Sequence, residues 1–301
     1  MVASAFFMSL LYVIVKILTN EYNFSSNQVG LLYKLSILII TLTSCLRLGF
    51  IHHLKTKKLL FHALRGFFSI MGSLSMFYAV SVLNVLNAAA ISELTPAFMV
   101  VAGSLVFNEK LTRPKIILLA GSLVGILFIK DFQSVQKDIN HGYWYAFLAL
   151  IFWSINNVII KKLTKTEHSR SQLFYSSLFA SIFALPMAYF TFDFNFKSLP
   201  FLDIAIAKWP YFSISSLLLL LSAGIASLLH KVAFFKAYKV SDMSVVGPFD
   251  YLRLPFTGIF AYVILNENVQ NQYSLLGYGL IIISGAYFIM HKEKCVSSNV
   301  N

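Results

Sequence analysis

Charged residues are scarce in this chain of 301 residues. Asp, Glu, Lys and Arg together make up 12% of it, whereas apolar residues make up 58%. A soluble domain carries about 25% charged residues. A water-soluble fold of this length could not cover so much apolar surface, so the composition excludes a soluble globular protein and predicts a membrane protein.

The chain also lacks the residues of a disulfide framework or a cysteine-rich metal site. It has two cysteines, Cys45 and Cys295, far apart in sequence. Two isolated cysteines do not have the number or spacing of a zinc site. Both are predicted on the cytoplasmic side, where thiols stay reduced. We therefore expect no disulfide, no metal and no other cofactor.

Motifs of catalytic nucleophiles and metalloproteases are missing. The chain contains neither G-x-S-x-G nor H-E-x-x-H, and its one adjacent histidine pair, His52-His53, lies in a basic loop. An intramembrane acyltransferase or protease needs a nucleophile–base set or metal ligands within its spans. We expect that the chain is not an enzyme, and an intramembrane enzyme is the less favoured alternative.

Long apolar runs are what the chain has in abundance. Each is about 17–25 residues, the length of a helix that crosses a bilayer. The ten runs are 1–19, 28–50, 64–84, 88–107, 114–130, 142–160, 172–192, 211–235, 243–265 and 273–290. The sequence thus predicts an all-α polytopic membrane protein with ten transmembrane helices. The first run has no basic leader, so we do not expect a cleaved signal peptide, and its shortness before Lys16 indicates a start site further upstream.

Basic residues alternate between the two sides of the predicted membrane. Loops 2–3, 4–5, 6–7 and 8–9 and the C-terminal tail, counted with helix-end residues, hold seventeen of the 24 Lys and Arg. The other five loops hold four. This bias predicts cytoplasmic termini and five helices in each half. It also accounts for most of the net charge of +12, and no basic stripe interleaved with aromatics occurs, so nucleic acid is not an expected partner.

The two halves resemble each other at a shift of 158 residues. The matches are Phe77 with Phe235, Ala79 with Ala237, Phe98 with Phe256, Asn108-Glu109 with Asn266-Glu267, Leu118 with Leu276, and Gly121 with Gly279. Because each predicted half crosses the membrane an odd number of times, the repeat must be inverted. Inverted repeats are typical of secondary carriers. We expect a first repeat over 1–130, a second over 142–290 and a cytoplasmic tail over 291–301.

Five ionisable side chains interrupt the apolar segments: Lys16, Lys34, Glu93, Asp250 and Arg253. Facing lipid, they would together cost on the order of 10 kcal/mol, comparable to the stability of a whole fold. We expect them to face a water-filled cavity or one another. Alternatives remain open, because either lysine can snorkel to the outer surface and Asp250 can neutralise Arg253 at i, i+3.

Uncharged polar and aromatic residues add further candidates for a binding site. Asn156 and Asn157 lie in the sixth segment, and Tyr78 and Tyr251 lie within other spans. The tyrosine rings can stack on a ligand, although helix–helix packing is the alternative role for all four.

Three prolines lie close in sequence to the acidic candidates. Pro96 follows Glu93 by three residues. Pro248 and Pro255 bracket Asp250. Proline within a span removes a hydrogen bond and frees a carbonyl, so these positions are predicted kinks or hinges.

The run from Leu64, LRGFFSIMGSLSMFYAVSVLNVLNAAAISELTPAFMVVAGSLVFNEKLTRPKIILLAGSLVGILFI, resembles the drug/metabolite transporter superfamily. With its partner from about Ala223 to Gly285, it is similar to the ten-helix type that has two EamA domains. The stretch PFDYLRLPFTGIFAYVILNE from Pro248 is similar to a bacterial subgroup that includes S-adenosylmethionine and riboflavin uptake carriers. The resemblance implies a multi-pass protein of the bacterial inner membrane, with a central cavity lined by helices 1, 3, 4, 6, 8 and 9.

The resulting hypothesis is a secondary transporter of a small polar metabolite that works by alternating access. Glu93 and Asp250 would hold a cationic group or carry protons, and Lys34 and Arg253 would meet a carboxylate. S-adenosylmethionine uptake is one candidate function, and export of a metabolite or amino acid by the same fold is the alternative. Expected partners are the lipid bilayer, a small-molecule substrate, and a coupling proton or counter-substrate.

Overall fold

Helices form almost all of the chain that the structure describes. The computed structural model describes residues 1–47, 56–107, 112–129, 141–164, 166–193, 203–206, 208–240, 247–267 and 272–297. These ranges contain eleven α-helices, one 3-10 helix and a two-stranded sheet. The predicted helical membrane protein is confirmed at this level, and the hairpin is an addition to it.

Six α-helices lie in the first half of the chain. They are α1 (Val2–Asn20), α2 (Ser26–Arg47), α3 (Leu59–Val82), α4 (Val85–Ser92), α5 (Thr95–Phe107) and α6 (Arg113–Ile129). A capping box begins α2, because Gln28 N–H donates to Ser25 Oγ and Ser25 N–H donates to Gln28 Oε1. Asn84 caps α4 by accepting from Leu86 N–H at 3.0 Å.

The second half contains five α-helices and the sheet. Its elements are α7 (His141–Thr164), α8 (Ser169–Tyr189), β1 (Phe190–Asp193), β2 (Asp203–Ile206), α9 (Ile214–Val240), a 3-10 helix (Gly247–Leu252), α10 (Arg253–Leu265) and α11 (Gln272–Ser297). The strands pair antiparallel, with Phe190 opposite Ile206 and Asp193 opposite Asp203. Asn266 ends α10 in the left-handed conformation at φ 53°, as expected for Asn at a helix C-terminus.

Seven helical segments within the described ranges, with α4 and α5 taken together as one, are long and apolar enough to cross a membrane. They are Val2–Asn20, Ser26–Arg47, Leu59–Val82, Val85–Val106, His141–Leu163, Ser169–Tyr189 and Ile214–Ala237. A shorter apolar helix covers Tyr273–Phe288. Many apolar side chains point outward from the bundle, among them Leu105, Val263 and Ile283. An exposed apolar perimeter of this kind is what lipid tails would cover.

Two of the predicted spans are interrupted in the middle. The span expected at 88–107 consists of α4 and α5, which are separated at Glu93 and Leu94. Residues 243–246 of the span expected at 243–265 lie outside the described residues, and the rest forms the 3-10 helix followed by α10. Pro96 and Pro248 are each the second residue of a helical segment, where the absent N–H removes no hydrogen bond from within the helix.

The halves of the chain pack into each other along most of their helices. Helix α1 packs against α9 and α10, and α7 packs against α3 and α5. Helix α2 packs against α8, and α6 packs against α11. The apolar core therefore joins the first and second halves, with α1 buried at its centre.

Candidate functional site

A polar cavity lies in the interior of the bundle. It has a volume of about 90 Å³, and α1, α2, α3, α5, α7, α9, α10 and the 3-10 helix all contribute to its wall. The family resemblance implied a cavity lined by helices 1, 3, 4, 6, 8 and 9. In the structure the second span, α2, lines the cavity as well. Five of the predicted site residues line the cavity: Lys34, Asn156, Asn157, Asp250 and Arg253.

A buried ion pair crosses between the halves beside this cavity. Arg253 Nε donates to Glu93 Oε1 at 2.5 Å, and both side chains are buried. The Arg253 guanidinium also donates to the Tyr12 hydroxyl at 3.4 Å. Arg253 is thus paired across the bundle with Glu93 and not with Asp250 on its own segment. The second carboxylate oxygen, Glu93 Oε2, has no hydrogen-bond partner in the described part of the chain.

The other predicted carboxylate remains available to a ligand. Asp250 lines the cavity and is half-buried. No hydrogen bond to its side chain is found among the described residues. Asn156 lines the same cavity, and its Oδ1 is buried without a partner in the described ranges. A buried acceptor costs free energy when it is unpaired, so both groups are suited to bind a ligand or ordered water.

Three cations form a separate basic part of the wall. Lys34 Nζ donates to Ser69 Oγ at 2.9 Å, and Lys231 lines the same cavity. The Arg65 guanidinium donates to the Gln172 carbonyl at 2.9 Å. No carboxylate in the described part of the chain forms an ion pair with Lys34, Arg65 or Lys231.

Arg65 and Lys231 were predicted at cytoplasmic helix ends, among the basic residues of loops 2–3 and 8–9, and not in the binding site. Helix α3 begins six residues before Arg65, and α9 continues nine residues beyond Lys231. By helical rise these positions lie about 9 Å and 14 Å inside their helices. The extension of each helix past its apolar run places both cations in the cavity wall.

Aromatic side chains form much of the remaining wall. Tyr33, Phe77, Trp153, Phe234 and Phe235 line the cavity. The Tyr33 hydroxyl donates to Ser73 Oγ at 2.5 Å, which fixes the position of the ring. These rings offer flat apolar faces beside the charged groups.

The two tyrosines expected in the site lie elsewhere. The Tyr78 ring is partly exposed on the outside of the bundle, at a centroid distance of 4.4 Å from Tyr145. Tyr251 is buried, and its hydroxyl lies 2.9 Å from Ser122 Oγ, so it packs α6 against the broken span. Pro255 is the third residue of α10 and is exposed.

A second polar cluster ties the predicted outer ends of several helices. Lys16 Nζ donates to the Leu83 carbonyl at 2.7 Å and lies 3.5 Å from Glu267 Oε1. Glu267 Oε2 accepts from the Val85 N–H at 2.9 Å. Lys16 therefore caps the end of α3 instead of snorkelling, and Glu267 links both halves. The partner pair in the first half, Asn108-Glu109, lies outside the described residues.

The chain is similar to bacterial transporters over most of its length. A protein of Rickettsia prowazekii named S-adenosylmethionine uptake transporter is 27% identical over 241 residues, which cover 80% of this chain and 75% of the relative. A riboflavin transporter of Vibrio cholerae is 23% identical, with 91% and 86% covered. A pseudopaline exporter of Pseudomonas aeruginosa is 23% identical, with 71% and 70% covered.

The fold is that of a solved protein of low sequence similarity. A crystal structure matches 95% of this chain and 96% of its own with a TM-score of 0.66, at 15% identity. Residues 1–130 and 140–290 each match the model of the EamA-like transporter family. The resemblance noted in the sequence is thereby confirmed, and the chain belongs to the EamA-like transporter family, as a multi-pass protein of the bacterial inner membrane.

Proposed function

We propose that the chain is a secondary transporter that moves a small polar metabolite by alternating access between two inverted five-helix repeats. The observation that carries this proposal is the cavity at the junction of the halves, with Asp250 and Lys34 both on its wall. Ionisable groups inside a membrane protein line ligand pathways or pair with one another. Here one acidic and several basic groups stay available to a ligand after the pairing of Glu93 with Arg253.

The packing of the helices supports the inverted repeat. When the five spans of each half are numbered in chain order, α7 corresponds to α1 and α9 corresponds to α3. The contact of α1 with α9 then has its equivalent in the contact of α7 with α3. The contact of α2 with α8, and that of α6 with α11, each join two equivalent helices. These contacts stay the same when each helix is replaced by its equivalent in the other half, as expected of two halves related by a pseudo-twofold axis.

Discontinuous helices further support a transport role. Glu93 lies at the break between α4 and α5, and Asp250 lies in the 3-10 turn before α10. Broken spans near the middle of the membrane form the substrate sites of many carriers, because their free ends supply polar backbone groups. With these two broken spans counted once each, ten crossings are proposed.

The size of the cavity favours a moving carrier over a static pore. A volume of about 90 Å³ holds roughly six water molecules, whereas ligand sites commonly have about 300–1,000 Å³. The helices must therefore separate before a metabolite can enter. The Lys16–Glu267 cluster joins helix ends on the predicted outer side, so we propose that opening of the cavity to that side breaks these contacts.

S-adenosylmethionine is the first substrate to test. It combines an amino acid head, a sulfonium and an adenine ring, and the cavity offers a carboxylate, cations and aromatic faces. A relative named as its uptake transporter supports the same choice. Export of a metabolite is the second candidate, and the relative named as a pseudopaline exporter favours it.

Uptake into vesicles that contain the purified protein tests this function. We expect saturable accumulation of labelled S-adenosylmethionine, with no accumulation in protein-free vesicles. Riboflavin and amino acids, tested in parallel, serve as competing substrates. Movement of none of these compounds in either direction would contradict the proposed transport activity for this group of substrates.

A further inference from the structure

Lys34, Arg65 and Lys231 bring three cations to one part of the cavity wall. Lys34 and Arg65 are buried, with exposed fractions of 1% and 2%. The three groups are close enough to interact electrostatically with one another. Like charges repel more strongly in a low-dielectric interior than in water, so an anion that binds among these groups would be stabilised by all three.

The groups that surround these cations on the protein are neutral. Lys34 donates to Ser69, and Arg65 donates to the carbonyl and side-chain oxygens of Gln172. The Arg65 guanidinium lies 4.9 Å from the Phe235 ring centroid. Arg65 Nε is buried and has no hydrogen-bond partner in the described ranges. The cluster therefore has an unused donor as well as uncompensated charge.

The charge balance of the described cavity wall leads to the same conclusion. Its cations are Lys34, Arg65, Lys231 and Arg253, with histidine counted as neutral. Against them stand Asp250 on the wall and Glu93 in its ion pair. With each of these groups counted as ionised, two positive charges remain in excess.

We propose that Lys34, Arg65 and Lys231 form an oxyanion subsite that binds a carboxylate or phosphate group of the transported molecule. This inference rests on the proposed transport function and deepens it, because it assigns a required chemical group to the substrate. The cationic part of an amphoteric substrate then lies toward Asp250. A substrate without an oxyanion leaves the cluster uncompensated and binds weakly.

Pairs of compounds that differ by one oxyanion provide the test. S-adenosylmethionine is compared with its decarboxylated form, and AMP is compared with adenosine, by thermal-shift titration of the purified full-length protein. In each pair that binds, we expect the member with the oxyanion to bind at least about tenfold more tightly to the wild type, the size of one charge-assisted hydrogen bond. The carboxylate and phosphate pairs together show which oxyanion the subsite takes.

Substitutions within the three-cation cluster test whether the oxyanion preference depends on these residues. Lys34→Gln and Lys231→Gln should reduce the preference for the oxyanion to less than about threefold, whereas Lys231→Arg should retain it. Lys236→Gln, on the exposed side of the same helix, is the matched control and should leave the preference unchanged. Removal of one repelling cation should also raise the melting temperature of the ligand-free protein, which separates loss of binding from loss of fold.

The possible failures of the subsite and of the transport function are distinct. Equal binding of both members of every pair by the wild type, or no binding of any probe, would overturn the subsite. So would a preference that persists undiminished in Lys34→Gln and Lys231→Gln. If an oxyanion preference depends on these lysines while vesicles accumulate no S-adenosylmethionine, the subsite stands and that substrate is wrong.

Discussion

Arg253 and Glu93 come from different halves of the chain, and the Arg253 Nε donates to Glu93 Oε1 at 2.5 Å inside the bundle. The two residues are separated by 160 positions in sequence. Their contact links the break between α4 and α5 to the first turn of α10. A rearrangement of one half against the other must keep or break this pair, so it is well placed to couple the two halves.

Removal of one member of this pair should destabilise the protein strongly. Glu93→Gln leaves the Arg253 charge buried, which costs about 3–5 kcal/mol. The double variant Glu93→Gln with Arg253→Gln should recover most of the lost stability. The melting temperature in detergent measures both effects, and a loss in the double variant equal to the sum of the losses in Glu93→Gln and Arg253→Gln would show that the pair is not coupled.

Asp250→Asn should impair transport with only a modest loss of stability. The Asp250 carboxylate accepts no hydrogen bond from described residues, so an amide of the same shape should cost no more than about 1 kcal/mol of stability. Loss of a charge-assisted contact to the cationic part of a substrate should lower uptake at least about tenfold. Uptake kinetics measure the effect on transport, and a melting curve measures the effect on stability. Asp250→Glu tests whether a carboxylate at this position restores uptake. Unchanged uptake would remove Asp250 from the substrate site.

The sequence was sufficient to single out the two carboxylates that lie on or beside the cavity wall. A carboxylate deep in an apolar run costs free energy unless it faces a cavity or forms an ion pair. Glu93 and Asp250 therefore stand out against the surrounding residues. The nearby prolines indicated the interrupted helices in the same way. These inferences depend on local sequence and the physics of the bilayer.

Two of the three cations in the basic part of the cavity wall could not be found in this way. A lysine or arginine near the end of an apolar run is common in any membrane protein, so Arg65 and Lys231 gave no distinctive signal. Their roles depend on how far α3 and α9 extend and on which helices meet. The partner of Arg253 likewise depends on tertiary packing. The i, i+3 spacing favoured Asp250, whereas packing places Glu93 beside Arg253.

Loss of the Glu267 carboxylate should shift the carrier toward an outward-open state. Glu267 pairs with Lys16 at 3.5 Å and accepts from the Val85 N–H, so Glu267→Ala removes both contacts. The loss should amount to about 1 kcal/mol, which changes a population roughly fivefold. An impermeant maleimide added outside should label Ser73→Cys on the cavity wall several-fold faster. Glu21→Gln, an exposed residue after α1, is the control and should have no effect.

Close contact between α6 and α11 should depend on Gly121. A Cβ atom at this position would lie 2.5 Å from the Ser284 Cβ, so Gly121→Ala forces the helices apart. We expect a loss of about 1–3 kcal/mol in stability. Gly279→Ala in the partner helix is the matched control, because nothing lies within 4 Å of its added Cβ. That control should be neutral or slightly stabilising. Equal melting temperatures for the two variants would contradict the close contact.

The central claim is that one cavity is open alternately to the two sides of the membrane. A single cysteine at Ser227 on the cavity wall, in a background with Cys45→Ser and Cys295→Ser, tests it most directly. We predict that an impermeant maleimide reaches this cysteine from the cytoplasmic side and, more slowly, from the outer side, and that bound substrate slows both reactions. Labelling from one side alone, under all conditions and in Glu267→Ala as well, would contradict alternating access.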